Sequence, residues 1–271
     1  MDKNINKQIK ICSDSQEQGP LVSIIMPAFN REDLIAKSIE SALAQTFPDF
    51  ELIVIDDGSK DKTLEIAKRY IEDPRVNIVI NEKNMGIANT RNRAIRMAQG
   101  KYIAMLDSDD VWLDKEKLEK QIKFLEANPD YALYGGNIIH IDPADKQLRT
   151  WKFPLTDADI RKVILRGSPF AQSTILCRKE AMVQAGLYST RFAICDDFDL
   201  WLRIGRNWKF ANSSEAMTGY RIHGGNITHT KRLTAAREIL EIVRMHKDNY
   251  PRPSMGLIKA YIRLLAAYAR S

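Results

Sequence analysis

The chain has 271 residues, of which 44% are hydrophobic and 28% are charged, as in an ordinary globular protein with one sizeable core. Its net charge of +6 suits anionic partners such as nucleotide diphosphates or lipid headgroups. The sequence has no zinc-finger spacing, no RNA-binding aromatic signature and no uncharged apolar run of about 20 residues. We therefore expect neither nucleic acid as a substrate nor a membrane-spanning helix.

The N-terminal segment 1–19 is polar and lacks the apolar stretch of a secretory signal. Cys12, Cys177 and Cys195 form an odd set without CxxC spacing, so the sequence predicts neither a disulfide framework nor a zinc site. Both features favour a reducing environment, and we expect a cytoplasmic protein.

Strands and helices alternate over the first part of the chain. Apolar runs of strand type are separated by segments whose apolar residues recur at helical spacing. Such alternation predicts a parallel sheet flanked by helices, which is an α/β fold. The predicted strands are Leu21–Met26, which ends at Pro27, Phe50–Ile55, Arg75–Ile80 and Lys101–Leu106.

A polar cluster follows each of these four strands. Ligands of parallel sheets bind beyond the carboxyl ends of the strands, so we expect the clusters to meet at one rim. The clusters are 27–30, where Asn30 can cap the next helix, 56–59, 81–86 and 107–110.

The pattern beyond residue 110 is looser. It predicts helices over Lys115–Ala127 and Asp196–Ile204, and one or two strands within Tyr131–Ile141. Two further helices, Arg232–His246 and Met255–Ala269, are predicted on either side of a proline-containing turn.

The tetrad Asp107-Ser108-Asp109-Asp110 directly follows the fourth predicted strand. A departing diphosphate carries concentrated negative charge, and Mg²⁺ or Mn²⁺ held by carboxylate oxygens is the usual way to neutralise it. The alternative is that Asp109 or Asp110 caps the helix near Lys115. The tetrad alone does not decide between the two interpretations.

Several motifs occur in a characteristic order along the chain. They are Val22–Asn30, Val54–Ser59, Asn84–Gly86, Arg91-Asn92 and Asp107–Asp110, followed by Asp196–Ile204 and Tyr220–His223. This ordered set resembles the family 2 inverting glycosyltransferases with the GT-A fold. The resemblance implies a mostly parallel, Rossmann-like sheet flanked by helices. It also implies a metal-dependent enzyme that moves one sugar from a nucleotide-diphosphate donor, with UDP favoured, to a hydroxyl group.

The resemblance implies roles for individual residues on the donor side. Pro27, Ala28 and Asn30 would lie along the nucleotide, Asp57 would accept a hydrogen bond from the base, and Asn84 and Arg91 would flank the nucleotide and its diphosphate. Asp107 would reach the ribose or the sugar, and Asp109 would hold the divalent metal. Two alternatives stay open: Asp56 as a turn residue, and Arg91 in a structural ion pair.

The second acidic cluster begins at Asp196. An acceptor hydroxyl needs a group that takes its proton as the new bond forms. The resemblance implies that Asp197 is this base, while Asp196, which replaces the usual Glu, would lie on the acceptor side. Asp199 is expected to cap or pair locally. Trp201 either packs in the core or stacks on an acceptor sugar.

The segment Tyr220–His223 resembles the start of a mobile loop that closes over the donor. The resemblance implies that His223 contacts the metal or the diphosphate and that Arg221 pairs with a phosphate. Gly224 and Gly225 would allow the loop to move.

The C-terminal segment Met255–Ala269 mixes apolar residues with Lys259 and Arg263. Such a helix can lie on the inner face of a membrane, cover a partner or pack on its own domain, and the sequence leaves these open. Under the resemblance the chain has a polar extension 1–19, a glycosyltransferase domain 20–230 and a helical extension 231–271. The domain would comprise a nucleotide-binding part 20–110 and an acceptor part 111–230.

Processive synthases of this family carry a glutamine-x-x-arginine-tryptophan motif, which is absent here. The resemblance therefore favours addition of single sugars to a saccharide or lipid-linked glycan, as in surface polysaccharide biosynthesis. A nucleotide-sugar-binding protein without catalysis and a nucleotidyltransferase are the competing hypotheses. The latter usually has a glycine-rich, basic loop after the first strand, which residues 27–31 do not form.

Overall fold

The computed structural model of the chain describes residues 19–225 and 230–269. Its strands are β1 Val22–Ala28, β2 Phe50–Asp56, β3 Val76–Ile80, β4 Tyr102–Met105, β5 Val111–Trp112, β6 Tyr131–Ile141, β7 Gln147–Trp151, β8 Leu176–Arg178 and β9 Lys209–Arg221. Its helices are α1 Ile35–Leu43, α2 Thr63–Lys68, α3 Ile87–Met97, α4 Lys117–Ala127, α5 Asp157–Val163, α6 Lys179–Gln184, α7 Asp196–Ile204, α8 Arg232–His246 and α9 Pro253–Tyr268.

The strands form one sheet in the order β3-β2-β1-β4-β8-β6-β9-β5, with β7 paired to β6. The predicted α/β class is confirmed, and β1 to β4 pair in parallel as expected. The sheet as a whole is mixed and not purely parallel, although most of its described strands run in the direction of β1. Strand β8 runs antiparallel to both of its neighbours, β4 and β6, so β6 and its parallel neighbour β9 run in the same direction as β1 to β4. Strands β5 and β7 run antiparallel to β9 and β6, respectively.

The first strand runs two residues further than predicted, because Pro27 does not end it. The Leu106 N–H donates to the Ile25 carbonyl, so the backbone N–H and C=O groups of the odd-numbered residues of β1 point towards β4. Pairing between β1 and β4 stops at Met105, one step before the ladder would require a backbone N–H group at residue 27. The missing N–H of proline therefore leaves no ladder bond unmade.

Alternate residues of β1 enter two separate cores. Ile24 packs in a core with Ile35 and Ile39 of α1, on one face of the sheet. Ile25 packs in the core on the other face, which contains residues of α3, α7, α8 and α9. The two-residue period of a strand thus produces three layers from one apolar run.

The C-terminal helices α8 and α9 pack against each other, and α9 also packs on the short 3-10 turn Ile164–Arg166. Within the described ranges, no helix combines the length and the apolar character needed to cross a membrane.

A buried polar network joins β1, β2 and the turn before β4. Ser23 Oγ donates to Glu51 at 2.6 Å, while the backbone N–H groups of Gln99 and Gly100 donate to Glu51 and Ser23. Gly100 lies so close to β1 that a Cβ added there would be 2.5 Å from the Ser23 nitrogen.

We predict that Gly100→Ala lowers the free energy of unfolding by about 1–3 kcal/mol, because the methyl group pushes against the backbone of a central strand. Urea unfolding followed by circular dichroism measures the change. Gly224→Ala is the matched control, since no described atom lies within 4 Å of the Cβ it adds. Equal stability of the two variants would contradict the close approach.

Candidate active site

The four polar clusters meet at one rim of the sheet, as predicted. The Asn30 N–H donates to Ser59 Oγ at 3.0 Å, and Asn30 Oδ1 accepts from the Lys60 N–H at 2.9 Å. These bonds join the segment after β1 to the segment after β2. Pro27 and Ala28 lie buried just before this junction, and Asn30 itself is exposed. Asn30 does not cap α1, which has no side-chain cap.

Asp57 holds the loop that follows β3. Its Oδ1 accepts from the Asn81 side chain at 2.7 Å and from the Met85 N–H at 2.9 Å, and its Oδ2 accepts from the Gly86 N–H at 3.1 Å. Gly86 has φ +85°, a conformation that favours glycine. Asn84 is exposed, and its Oδ1 also accepts from the Gly86 N–H. The structure thus assembles the predicted base-binding residues, and contact with a base stays a prediction.

Asp56 has the turn role that the sequence left open as an alternative, since its Oδ2 accepts from the Ser59 N–H at 3.1 Å. Its Oδ1 is buried and has no hydrogen-bond partner among the described residues. A buried acceptor without a donor costs about 1–3 kcal/mol. Asp56 is therefore a second acceptor at this rim that the sequence reasoning did not single out.

Arg91 links the two acidic clusters. Its Nη1 donates to both carboxylate oxygens of Asp196 at 3.2 and 3.1 Å, and its Nη2 donates to Asp107 Oδ1 at 2.9 Å. The guanidinium also lies over the ring of Tyr188, 5.3 Å from its centroid. The side chain is only 8% exposed, so the structure supports the ion-pair interpretation of Arg91 and leaves its group little access to a diphosphate.

The electrostatics of Arg91 follow from this burial. Burial by itself lowers the pKa of the guanidinium, but the negative charges of Asp196 and Asp107 outweigh it and hold the pKa above its ordinary value. Arg91 therefore stays charged and fixes Asp107 and Asp196 on either side of one guanidinium group.

Asp197 lies half-buried at the start of α7, next to Asp196. Its Oδ1 accepts from the Phe198 N–H at 2.7 Å. Burial, followed by the charge of Asp196, raises the pKa of Asp197 to about 7, although Arg91 opposes the shift. A carboxyl group with this pKa exchanges a proton readily near neutral pH, which suits a general base.

Asp109 lies between two basic side chains. Its Oδ2 accepts from Arg31 Nε and faces His223 Nε2, each at 3.1 Å. Burial raises the pKa of Asp109, but the hydrogen bond from His223 and the charge of Arg31 outweigh it and lower the pKa below its ordinary value. The predicted metal residues, Asp109 and His223, are thus in direct contact.

These two residues fit a divalent cation by their donor chemistry. A carboxylate oxygen and an imidazole nitrogen suit Mn²⁺, which takes its remaining ligands from phosphate and water. In the described ranges no group of three or more His, Cys, Asp or Glu side chains is arranged around one point. The Gly225 N–H donates to His223 Nδ1, which leaves the ring proton on Nε2, so a metal at Nε2 requires the other tautomer.

Asp110 is buried and supports the loop instead of capping a helix. Its Oδ2 accepts from Ser173 Oγ at 2.6 Å, and its Oδ1 accepts from the Arg221 N–H at 2.9 Å. Burial, followed by the charges of Asp109 and Asp107, raises its pKa well above the ordinary value. The capping alternative for the tetrad is wrong, because α4 begins at Lys117 without a side-chain cap.

Two predicted site residues are in the protein interior. The Arg221 guanidinium is buried, and it donates to the carbonyls of Asp109 and Asp142 and to the Asp145 carboxylate. Arg221 therefore braces the loop that carries Asp109, and its assignment to a phosphate is corrected. Trp201 is completely buried between Phe170 and Tyr188, so the core interpretation is right and it has no face for a sugar.

The comparisons with known proteins agree with this geometry. Residues 23–192 match the family described as Glycosyl transferase family 2. A relative from Escherichia coli, UDP-Glc:alpha-D-GlcNAc-diphosphoundecaprenol beta-1,3-glucosyltransferase WfaP, is 34% identical over 78% of this chain and 81% of its own. Among solved structures, S. aureus TarS 1–349 in complex with UDP-GlcNAc is similar with a TM-score of 0.71, at 21% identity over 90% of this chain and 72% of that one.

A second solved structure is the mannosyltransferase PcManGT from Pyrobaculum calidifontis in complex with GDP-Man and Mn²⁺. It is similar with a TM-score of 0.66, at 20% identity over 93% of this chain and 76% of that one. At these identities both structures establish the fold alone, which is of the GT-A type.

We predict that Arg91→Met lowers the free energy of unfolding by about 3–5 kcal/mol at pH 7, since it leaves Asp196 buried without its cation. The loss should be smaller at pH 5, where the abandoned carboxylate can take up a proton. Denaturant unfolding at both pH values measures it. Arg96→Met, at an exposed position of the same helix, is the control and should change stability by less than about 0.5 kcal/mol. Similar losses in both variants would refute a structural role for the ion pair.

Proposed function

The chain belongs to glycosyl transferase family 2, and from that premise we propose that it transfers single sugars from a UDP-sugar to a hydroxyl of a saccharide or lipid-linked glycan. The observation that carries the proposal is the contact of Arg91 with both Asp107 and Asp196. This contact joins Asp107, which follows strand β4 on the donor side, to Asp196, which is next to Asp197. A donor sugar at this junction lies between a leaving-group side and a proton acceptor.

The proposed reaction is a direct displacement. The acceptor oxygen attacks the anomeric carbon, its proton passes to the Asp197 carboxylate, and the bond from the anomeric carbon to the diphosphate breaks with both electrons on the diphosphate. Attack from the side opposite the leaving group inverts the anomeric centre. The pKa of about 7 supports this role, because Asp197 is then deprotonated often enough to act and basic enough to take the proton.

On the leaving-group side, Asp109 and His223 would hold the divalent metal, which supplies positive charge to the diphosphate when bound. Asp107, fixed by Arg91, would orient the ribose or the sugar. Arg221 and Asp110 keep the loop that carries Asp109 in place.

We assign the base of the donor to the rim between β2 and β3. The imide N–H of uracil needs a carboxylate acceptor, and Asp57 and Asp56 both lie there. Asp57 already accepts three hydrogen bonds, whereas Asp56 Oδ1 accepts none from the described residues. Both residues are therefore candidates for reading the base.

The proposed setting is polysaccharide or glycolipid biosynthesis at the cytoplasmic, inner face of a membrane. The name of the WfaP relative describes a diphosphoundecaprenol-linked acceptor, which supports a lipid-linked glycan here. A nucleotide-sugar-binding protein without catalysis is the alternative, and it would not need a carboxyl group with a pKa near neutrality beside the donor site.

Asp197→Asn separates these two functions. We predict that it leaves donor binding within about threefold and lowers transfer by about 10²–10⁴-fold, since the proton acceptor is lost. In the unsubstituted protein, transfer should rise with pH through about 7 as Asp197 loses its proton.

Stability should move the other way. A carboxyl group with a folded-state pKa of about 7 and an unfolded-state pKa of about 4 destabilises the fold increasingly as pH rises between those values. Asp197→Asn should therefore unfold at a higher temperature at pH 8. Asp130→Asn, at an exposed position, is the control for both assays. Undiminished transfer by Asp197→Asn would remove this residue from the mechanism.

A thermal-shift screen of nucleotide sugars tests the donor and the metal. We predict stabilisation by a UDP-sugar with Mn²⁺ that is largely lost on chelation, because binding to the folded state raises the melting temperature. Asp109→Asn and His223→Gln should each weaken the Mn²⁺-dependent shift by at least about tenfold in apparent affinity. Stabilisation that is unchanged by chelator and by both substitutions would contradict the assigned metal residues.

A further inference from the structure

Helix α9 presents a continuous apolar stripe to solvent. Met255, Ile258, Ile262 and Leu265 recur at three- and four-residue spacing and therefore share one face of the helix. Their exposed fractions range from 45% to 69%, although such residues usually lie inside. The helix has 16 residues and is about 24 Å long, so the stripe is a continuous apolar patch and not a set of isolated surface residues.

On one side of the stripe, two tyrosines of α9 accept hydrogen bonds from arginines of α8. Arg244 donates to the hydroxyl of Tyr261, and Arg237 donates to the hydroxyl of Tyr268 at 2.8 Å. Each guanidinium also lies over the ring it bonds, 5.4 and 5.5 Å from the centroids. This arrangement places amphipathic rings and positive charge together at the edge of an apolar surface.

The opposite border of the stripe is also basic. Lys259 lies exposed on the other side of α9, with the half-buried Arg263 behind it against Gly167. Arg166 reaches the same region, where its Nη2 is 3.3 Å from the Met255 sulfur. Burial lowers the pKa of Lys259, and the positive charges of Arg263 and Arg166 lower it further. None of the 16 residues of α9 is acidic. The cations on this border are therefore not neutralised by their own helix.

We propose that α9 docks on the surface of an anionic lipid bilayer, with the apolar stripe in the headgroup–acyl boundary and both basic borders on lipid phosphates. An apolar face between cationic borders is complementary to such a surface, because the apolar residues enter the headgroup–acyl boundary while Lys and Arg contact anionic headgroups. A second copy of the chain is a poorer occupant, because a two-fold interface would bring like-charged borders together. The proposal deepens the proposed function, since it supplies the surface from which a lipid-linked acceptor is taken.

The contacts of α8 and α9 tie this surface to the proposed base. Glu238 of α8 accepts from the backbone N–H groups of Ala193, Ile194 and Cys195, at 2.9, 3.0 and 2.9 Å. This segment directly precedes Asp196 and Asp197. The positive charge of Arg263 also acts on the Cys195 thiol. Docking through α9 would therefore hold the acceptor-side carboxylate close to the lipid surface.

Vesicle co-sedimentation of the full chain, without donor or acceptor, tests the docking separately from catalysis. Vesicles of phosphatidylcholine alone are compared with an equal mixture of phosphatidylcholine and phosphatidylglycerol. We expect binding to the mixed vesicles that weakens as salt is raised, since screening reduces the basic contribution.

Two variants dissect the surface. Ile258→Ser, Ile262→Ser and Leu265→Ser combined should weaken binding by more than about tenfold, while Lys259→Gln with Arg244→Gln should lower only the preference for anionic vesicles. The matched control replaces three similarly exposed apolar residues elsewhere, Ile71, Leu148 and Val183, by Ser and should bind normally.

Three outcomes would overturn the proposal: no binding of the unsubstituted chain at low salt, equal binding by the triple variant of α9, or a dimer that this variant disperses without any vesicle binding. Transfer to a water-soluble acceptor by the triple variant distinguishes the two proposals. Retained transfer with lost vesicle binding supports both, whereas vesicle binding without transfer by the unsubstituted chain contradicts only the proposed function.

Discussion

The architecture of the site depends on one buried cation. Arg91 projects from α3 and holds Asp107, which follows β4, and Asp196, which begins α7. Burial disfavours the ionised form of Asp196, because desolvating a charge is costly, and the contact with Arg91 opposes this effect. Arg91 thus joins the segment after β4 to the start of α7, because it donates one hydrogen bond to Asp107 and two to Asp196. The two halves of the proposed reaction meet at this point.

This arrangement also sets the chemistry of the neighbouring residue. Asp197, which is half-buried beside the buried Asp196, does not receive the hydrogen bonds of Arg91, which are taken by Asp196 and Asp107. Burial raises the pKa of both carboxyl groups, but the hydrogen bonds from Arg91 oppose the shift at Asp196, whereas at Asp197 the charge of Asp196 adds to burial and the pKa rises to about 7. The ionised form of Asp197 therefore destabilises the fold, but its raised pKa lets the group exchange protons near neutral pH.

The sequence predicts the parts of this structure that local patterns specify. The alternation of β1 to β4 with helices, the helix Asp196–Ile204 and the meeting of polar clusters at one rim all follow from short-range periodicity and from sheet geometry. The direction of β8 does not, because three residues between a 3-10 turn and α6 carry no signal for strand polarity. The burial of Arg221 does not follow from the sequence either, and the sequence leaves that of Trp201 open, because side-chain type alone does not distinguish a buried guanidinium or indole from an accessible one. Asp110 was misjudged because its partners, Ser173 and Arg221, are distant in sequence.

Helix α8, within the predicted C-terminal extension 231–271, packs against α7 and the segment that precedes it. Glu238 holds the backbone immediately before α7, and His246 at the end of α8 contacts Asp199 of α7 at 2.9 Å. Since α7 begins with the residue bound by Arg91, a displacement of α8 would be transmitted to Asp196 and from there to Asp107. Under the two proposals, a surface that fixes α9 would therefore also constrain the geometry between donor and acceptor groups, and the exposed face of the last helix would act in positioning as well as in attachment.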